Sequence, residues 1–265
     1  DDFAHVYAFC RWADDLGDET GDTRRGRELL DWWRRELDAC YEGRPRHPVF
    51  VALAPTIERH DIPREPFDRL IDAFVQDQAV TRYDTWAQVL DYCTRSANPV
   101  GRLVLYLCGH RDAHRQQLSD ATCTALQLAN FWQDVRRDIL ERDRVYLPRD
   151  LAAAHGLDVD AMADTVRRGG DVASLQLPYR AAVKDAVDRT WPLFAEGRGL
   201  WPLVERDVRV DIQLFTLGGE RVLRLIERQG YDTLTARPSL SKTTKAALLG
   251  RALWGKLWGK VIGRG

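Results

Sequence analysis

The stretch LQLANFWQDVRRD, residues 126–138, decides the fold prediction because it combines helical spacing with a polar stripe. Four of its polar residues are separated by three, four and four positions, and about 100° of rotation per residue keeps them on one narrow face. These residues are Gln127, Asn130, Asp134 and Asp138. The stripe borders an apolar arc that consists of Leu128, Phe131, Trp132 and Val135. A polar stripe beside large apolar side chains predicts a helix that faces a cavity rather than bulk water.

A second acidic stripe occurs near the start of the chain, in RWADDLGDE at residues 11–19. Polar residues spaced four, three and four apart again share one helical face: Tyr7, Arg11, Asp14 and Asp18. Asp15 and Glu19 add further negative charge, and like charges four residues apart repel each other by roughly 0.2–0.5 kcal/mol per pair. A bound cation would relieve this repulsion, but the pattern leaves open the alternative of a solvated acidic helix face.

Apolar residues recur at helical spacing along most of the chain, as in RELLDWWRRELDACY and ATCTALQLANFWQDVRRDIL. Alternating strand patterns and Asn-Gly hairpins are missing from the sequence, and the breaks are segments with Pro or Gly such as EGRPRHP and RRGGD. We therefore predict a single all-α domain of roughly ten helices across residues 1–265. Because residue 1 already lies in a helical pattern, we also expect an N-terminal segment to precede it in the full protein.

Composition excludes several classes of function. The formal net charge is −1, which gives no basis for general binding of nucleic acid. The five cysteines form no CxxC pair, so the sequence predicts neither a disulfide framework nor a zinc site, and reduced thiols fit a cytoplasmic protein. No apolar run approaches the roughly 20 residues that a membrane-spanning helix needs.

The two acidic stripes supply carboxylates without histidines at matching spacing. Such oxygen ligands suit Mg²⁺, which usually takes one or two protein carboxylates and shares its other positions with water and phosphate. The sequence contains no HExxH motif, no Glu-x-x-His pair for a di-iron bundle and no GxxxxGK[ST] phosphate loop. The residues alone therefore favour a magnesium site for a substrate that carries a diphosphate.

The motifs resemble those of the head-to-head prenyl synthases, a family that includes squalene, phytoene and dehydrosqualene synthases. YAFCRWADDLGDE is similar to the first aspartate-rich motif, and LQLANFWQDVRRD followed by RVYLP is similar to the second. YCTRSANPVG, residues 92–101, resembles the family segment YCxxxAGxVG. The resemblance covers nearly the whole chain and implies an isoprenoid-synthase-type helical bundle around a central cavity, with roughly two or three Mg²⁺ ions held between opposed aspartates.

The resemblance also implies roles for individual residues. The expected metal ligands are Asp14, Asp18, Asp134 and Asp138, which together with Tyr92 form the expected catalytic set. The expected substrate-binding residues are Tyr7, Arg11, Arg95, Gln127, Asn130 and Arg144. Core packing is the alternative for Tyr7 and Tyr92, whereas Arg11 is expected to contact diphosphate because it lies on its acidic stripe.

Two departures from the family pattern bear on the reaction. Gln133 stands where squalene and phytoene synthases usually have Arg or Glu, and Asn98-Pro99 replaces a pair of small residues. The combination of FCRWADDLGDE, RSANPVGRLVLYLCG and LQLANFWQDV resembles the hydroxysqualene synthase branch of bacterial hopanoid biosynthesis. This resemblance implies that presqualene diphosphate ionises, rearranges and captures water to give hydroxysqualene, without NADPH. The alternative within the family is head-to-head condensation of two prenyl diphosphates to presqualene diphosphate, squalene, dehydrosqualene or phytoene.

Helical geometry predicts the orientation of several neighbouring side chains. Arg136 and Arg137 are expected to point away from the acidic stripe, and Phe9 and Trp132 are expected to pack in the core. Three residues of GYDTLTARPSLSK either close one end of the cavity or merely follow the end of a helix: Tyr231, Arg237 and Lys242.

The C-terminal tail GRALWGKLWGKVIGRG places Trp254 and Trp258 among basic residues. Such a segment predicts peripheral contact with the inner face of an anionic membrane, with docking of the tryptophans on the bundle as the alternative. A non-catalytic helical protein that binds lipid is the alternative from another functional class. The duplicated acidic stripe favours the enzyme, because binding a lipid does not require it.

Overall fold

The structure, a computed structural model, describes residues 1–18 and 22–239. These residues form eleven α-helices: α1 Asp2–Asp18, α2 Thr23–Tyr41, α3 Pro48–His60, α4 Glu65–Asp77, α5 Trp86–Ser96, α6 Asn98–Leu107, α7 Ala113–Arg142, α8 Arg149–Ala154, α9 Val159–Arg167, α10 Gln176–Gly197 and α11 Arg206–Arg228. Short 3-10 helices cover Ala173–Leu175 and Arg198–Leu203. Within the described residues there is no β-strand, and one isolated parallel bridge joins Arg82 to Val145. The prediction of an all-α fold is confirmed.

The helix termini follow local sequence signals. The side chain of Asp22 precedes α2 and accepts a hydrogen bond of 2.9 Å from the backbone N–H of Arg24, as expected of an N-cap residue. Pro48 and Pro99 lie in the first turns of α3 and α6, where a missing N–H costs no intrahelical bond. The Asn98-Pro99 pair, which departs from the family pattern, therefore marks the start of α6.

The chain divides into two compact units. Unit 1 contains residues 1–80 and 91–123, and its core is rich in aromatic rings. Phe9 on α1 is fully buried, with its ring centroid 4.8 Å from that of Phe67 and 5.8 Å from that of Trp33. These contacts fix α1 against α2 and α4 and confirm that Phe9 is a core residue.

Unit 2 begins with residues 81–90 and resumes at residue 124. Trp132 on α7 is fully buried there, and its indole N–H donates a 3.0 Å hydrogen bond to the hydroxyl of Thr190 on α10. This contact confirms Trp132 as a core residue. Gly219 on α11 lies so close to α7 and α10 that an added Cβ would come within 2.6 Å of side-chain atoms of Leu126 and Phe194.

The single-domain organisation predicted from the sequence stays a prediction.

No helix in the described part of the chain combines the length and apolar character that crossing a membrane requires. Lys242 and the predicted membrane-contacting tail, with Trp254 and Trp258, lie outside the described residues. Peripheral contact with a membrane therefore stays a prediction.

Candidate active site

The acidic stripe of α1 includes a positively charged side chain, Arg11, which pairs with neighbouring aspartates. Arg11 pairs with Asp14 at 3.3 Å and with Asp15 at 2.7 Å, measured between guanidinium nitrogen and carboxylate oxygen. About half of the Arg11 side chain is exposed (51%), and both carboxylates are accessible. The guanidinium offsets part of the repulsion between the acids, and its planar array of N–H donors also suits phosphate oxygens.

Two other predicted residues of α1 have different outcomes. Tyr7 is 68% exposed, so the alternative that it packs in the core is wrong, whereas its contact with substrate stays a prediction. Asp18 is the last residue of α1, but its side chain and the whole of Glu19 lie outside the described residues.

The end of α1 lies against the end of α4 within unit 1. The side-chain amide of Gln78, just after α4, donates a 2.9 Å hydrogen bond to the carbonyl of Gly17. The preceding residue, Asp77, accepts a 2.9 Å hydrogen bond from the hydroxyl of Tyr92 on α5. Tyr92 is buried, with 3% of its surface exposed. The hydroxyl of the predicted catalytic Tyr92 is therefore held by Asp77. The next residue, Gln78, contacts the end of α1.

Arg95 lies one turn after Tyr92 and forms an ion pair with Asp91 on its own helix. Its Nε is buried and has no hydrogen-bond partner among the residues that the structure describes. A buried guanidinium N–H usually has an acceptor, because leaving it unsatisfied costs free energy. This geometry is compatible with the predicted contact between Arg95 and an anionic substrate, which stays a prediction.

The polar residues of the stripe on α7 differ in their exposure to solvent. Asn130 is exposed and Gln127 is half-buried, whereas the side chain of Asp134 is only 17% exposed. Both carboxylate oxygens of Asp134 accept hydrogen bonds from the guanidinium of Arg237, with a distance of 3.2 Å from Nη2 to Oδ2. Asp134 is thus paired with a cation that lies 103 positions further along the chain.

Asp138 follows Asp134 by one helical turn and has a strongly perturbed acidity. Burial raises the pKa of its carboxyl to about 7, and the negative charge of Asp134 contributes in the same direction. Three arginines oppose this shift in pKa: Arg142, Arg137 and Arg144. Asp134 and Asp138 are both partly buried on successive turns of α7, and an added cation there would stabilise their ionised state.

The prediction that Arg137 points away from the acidic stripe is wrong. Its Nη1 lies 3.8 Å from Oδ2 of Asp134, while its Nε donates a 2.9 Å hydrogen bond to Glu141. The Cβ direction follows from helical geometry, but the long side chain carries the guanidinium back to a neighbour three residues away. Arg136 instead donates to the backbone carbonyl of Leu234 at 3.3 Å, which is the structural role expected for it.

The segment after α7 holds Arg144 in place. Arg144 is buried, and its backbone N–H donates to the carbonyl of Asp138 at 3.1 Å. The next N–H, of Val145, donates to the carbonyl of Thr81 at 2.9 Å. Arg82 reinforces this connection by binding both the carbonyl and the carboxylate of Asp143. Arg144 is therefore fixed close to the end of the acidic stripe, and its contact with substrate stays a prediction.

Three residues that contact the predicted motif residues or their neighbours carried little sequence signal. Asp77 is an acid at the end of an amphipathic helix, Arg82 lies between two helical patterns, and Gln133 was noted only as a departure from the family. In the structure the buried side-chain amide of Gln133 donates a 2.6 Å hydrogen bond to the carbonyl of Pro238, next to Arg237. The sequence positions of Asp77, Arg82 and Gln133 do not indicate which residues they bind in the folded chain.

The described residues contain no cluster of three or more His, Cys, Asp or Glu side chains arranged to hold a metal ion. This observation is compatible with Mg²⁺, which needs only one or two carboxylates when water and phosphate complete its shell. The carboxylate oxygens of Asp134 and Asp138 fit Mg²⁺ chemically. The assignment of these two residues as metal ligands follows from the family resemblance and stays a prediction.

Comparison with known proteins agrees with the helical fold. A family model described as squalene/phytoene synthase matches residues 1–244. Phytoene synthase of Thermus thermophilus is 36% identical over 251 residues, which cover 93% of this chain and 81% of that protein. Hydroxysqualene synthase of Rhodopseudomonas palustris is 34% identical over 239 residues, which cover 88% of this chain and 76% of that protein. The crystal structure of squalene synthase HpnC from Alicyclobacillus acidocaldarius has 44% identity and a TM-score of 0.78, covering 86% of this chain and 83% of that one.

The helical fold of the described residues and the similarity to a solved squalene synthase define the class of helical isoprenoid synthases. The chain belongs to the squalene/phytoene synthase family. It is therefore an enzyme that processes prenyl diphosphates in isoprenoid biosynthesis, which favours the catalytic interpretation over a non-catalytic protein that binds lipid.

Proposed function

We propose that this protein converts presqualene diphosphate and water into hydroxysqualene and diphosphate, with Mg²⁺ and without NADPH. The observation that carries the proposal is the crowding of Asp134 and Asp138 beside several arginines, because a polyanionic substrate and its metal ions need both charges in one place. The branch is supported by the hydroxysqualene synthase of Rhodopseudomonas palustris, which aligns with 88% of this chain.

The metal ligands in this proposal are the aspartates of the two motifs. Asp134 and Asp138 supply oxygen donors one helical turn apart on α7, and Asp14 and Asp18 supply the second set on α1. Burial of Asp138 next to the charge of Asp134 means that a cation would stabilise both ionised carboxylates. When bound, Mg²⁺ supplies Lewis-acid stabilisation of the negative charge on the departing diphosphate.

The remaining residues bind and orient the substrate. Arg11 and Arg144 donate hydrogen bonds to diphosphate oxygens, since one is accessible beside Asp14 and the other is fixed beside the end of the α7 stripe. Tyr92, with its hydroxyl fixed by Asp77, offers an aromatic face that stabilises a carbocation by roughly 0.5–2 kcal/mol. The carbon–oxygen bond breaks with its electron pair on diphosphate, and the rearranged cation gains a water oxygen, which then loses a proton.

The second candidate is head-to-head condensation that forms a polyene. It is favoured by the 36% identity to the phytoene synthase of Thermus thermophilus over 93% of the chain. Both reactions release diphosphate, but they differ in the substrate and in the fate of the cation. In the condensation the cation loses a proton to form a polyene, whereas in the proposed reaction it captures water to form an alcohol.

Product analysis tests the proposal. The protein is incubated with Mg²⁺ and one substrate at a time, in separate reactions with presqualene, farnesyl or geranylgeranyl diphosphate, without NADPH. Released pyrophosphate is measured and the lipid products are separated by mass. In ¹⁸O-labelled water, the presqualene diphosphate reaction is expected to give hydroxysqualene with one labelled oxygen, because the hydroxyl comes from solvent.

Substitutions at the acidic stripes test the site in the same assay. Asp14→Asn and Asp134→Asn are expected to lower pyrophosphate release at least 100-fold while the helical circular dichroism signal is kept. Glu28→Gln and Asp188→Asn remove acids that pair with arginines or a lysine elsewhere, so they are matched controls with unchanged activity. A C40 polyene from geranylgeranyl diphosphate, without hydroxysqualene, would establish the second candidate instead. No pyrophosphate from any substrate would contradict both.

A further inference from the structure

Gln133 is a buried polar residue within the second motif, between a core tryptophan and the first aspartate. Its side-chain amide donates a 2.6 Å hydrogen bond to the backbone carbonyl of Pro238. Because a buried amide without a partner is costly, this bond fixes the segment after α11 on the surface of α7. Arg136 strengthens the attachment by donating to the carbonyl of Leu234 at 3.3 Å.

The attached segment presents Arg237 to Asp134. The guanidinium binds both carboxylate oxygens, with Nε donating to Oδ1 and Nη2 donating to Oδ2 at 3.2 Å. Two parallel N–H···O bonds are the strongest common geometry between arginine and a carboxylate. Arg137 contributes a weaker contact with Asp134 at 3.8 Å. The carboxylate is therefore bound on both oxygens by the protein itself.

We propose that Arg237 competes with divalent metal ions for Asp134, and that Gln133 is the positioning residue that holds Arg237 there through the Pro238 carbonyl. This inference rests on the proposed function, which makes Asp134 a metal ligand. A metal ion that binds Asp134 must displace at least one of the two guanidinium hydrogen bonds. Half of the Arg237 side chain is exposed (48%), so the guanidinium has room to leave the carboxylate while its backbone stays attached. Because of this competition, the substrate-free protein binds metal ions more weakly than it would if Asp134 were not paired with Arg237.

Binding of Mn²⁺ alone tests the inference without any turnover. The substrate-free protein is titrated with Mn²⁺, and the free ion is measured by electron paramagnetic resonance. Asp134→Asn is expected to weaken binding, and Arg237→Gln is expected to tighten it at least three-fold. Gln133→Leu removes the amide that fixes Pro238 and is expected to tighten binding by a smaller factor. Arg237→Lys keeps the charge but loses the paired hydrogen bonds, so its affinity is expected to lie between those of the wild type and Arg237→Gln.

The controls separate competition from a general effect of charge or folding. Arg24→Gln removes one positive charge from an exposed pair with Glu28 on α2 and is expected to leave the affinity unchanged. Thermal unfolding of each variant shows that the compared proteins are folded, and Arg237→Lys supplies a second variant with the charge intact.

The outcomes distinguish two failures. If Asp134→Asn weakens Mn²⁺ binding but Arg237→Gln leaves it unchanged or weaker, the competition is refuted and the proposed metal site survives. If Asp134→Asn has no effect on Mn²⁺ binding, the metal site of the proposed function fails, and the competition fails with it.

Discussion

The hydroxyl of Tyr92 on α5 donates a 2.9 Å hydrogen bond to Oδ2 of Asp77, the last residue of α4. The bond fixes a buried phenol, so removal of the hydroxyl tests both packing and chemistry. We expect Tyr92→Phe to reduce the free energy of unfolding by about 1–3 kcal/mol, as measured by denaturant titration, and to lower turnover at least ten-fold, because the hydrogen bond to Asp77 no longer holds the ring in position. Tyr106→Phe is the matched control, because its hydroxyl accepts only a 3.3 Å hydrogen bond from Gln116 on a neighbouring helix. Full turnover in Tyr92→Phe would show that the hydrogen bond to Asp77 is not needed to position the ring.

Arg82 and Arg149 both pair with Asp160, but they differ in burial. Arg82 is 12% exposed and also binds the carbonyl and carboxylate of Asp143, whereas Arg149 is 43% exposed. We expect Arg82→Gln to cost about 1.5–3 kcal/mol of unfolding free energy, since it removes the charge-assisted hydrogen bonds that a largely buried guanidinium donates to Asp143. Arg149→Gln is expected to cost at most about 1 kcal/mol, as exposed pairs usually do. Equal losses in denaturant titrations would contradict this ranking.

Gly218 and Gly219 are adjacent in α11 and have opposite surroundings. A Cβ on Gly219 would lie 2.6 Å from Phe194 and from Leu126, whereas one on Gly218 meets no atom within 4 Å. We expect Gly219→Ala to destabilise the protein by about 1–3 kcal/mol through overpacking. Gly218→Ala is expected to stabilise it by about 0.5–1 kcal/mol, because alanine loses less conformational freedom in a helix. Calorimetry of the two variants checks the signs, and a stabilising Gly219→Ala would show that the packing is looser than described.

The carboxylate of Asp232 stabilises the turn that leads to Arg237. Burial alone would raise its pKa, but hydrogen bonds from the side chain and backbone N–H of Thr235 and from Arg180 outweigh burial and lower the pKa below the usual value. A pKa lowered by folding means that this contribution is present above the pKa of the unfolded chain, about 3.9. The contribution is lost as the pH falls through the folded value.

We therefore expect Asp232→Asn to lower the thermal midpoint by roughly 2–4 °C at pH 7, equivalent to about 1 kcal/mol. The difference from wild type should shrink as the pH falls below about 4, because the wild-type carboxylate then becomes protonated. Asp188→Asn, which removes an exposed pair with Lys184, provides the control with a small effect. A difference that grows on acidification would contradict the sign of the pKa shift.

Most of the fold was predictable from local patterns. The apolar spacing of residues 126–138 predicts a helix, which the structure contains as part of α7 with Trp132 buried. The position of Phe9 in the core followed in the same way. The prediction failed for Arg137, because the direction of a Cβ does not fix where the end of a long flexible side chain binds.

The helices, the two acidic stripes and the family can be inferred from the amino-acid sequence, because periodicity and motif spacing are properties of neighbouring residues. Which charge is paired with which depends on the folded structure. Tyr92 binds Asp77 across 15 positions, and Asp134 binds Arg237 across 103 positions. Such partners depend on where separate helices and turns come together in space, and a stripe of carboxylates does not specify whether an arginine or a metal ion will balance its charge.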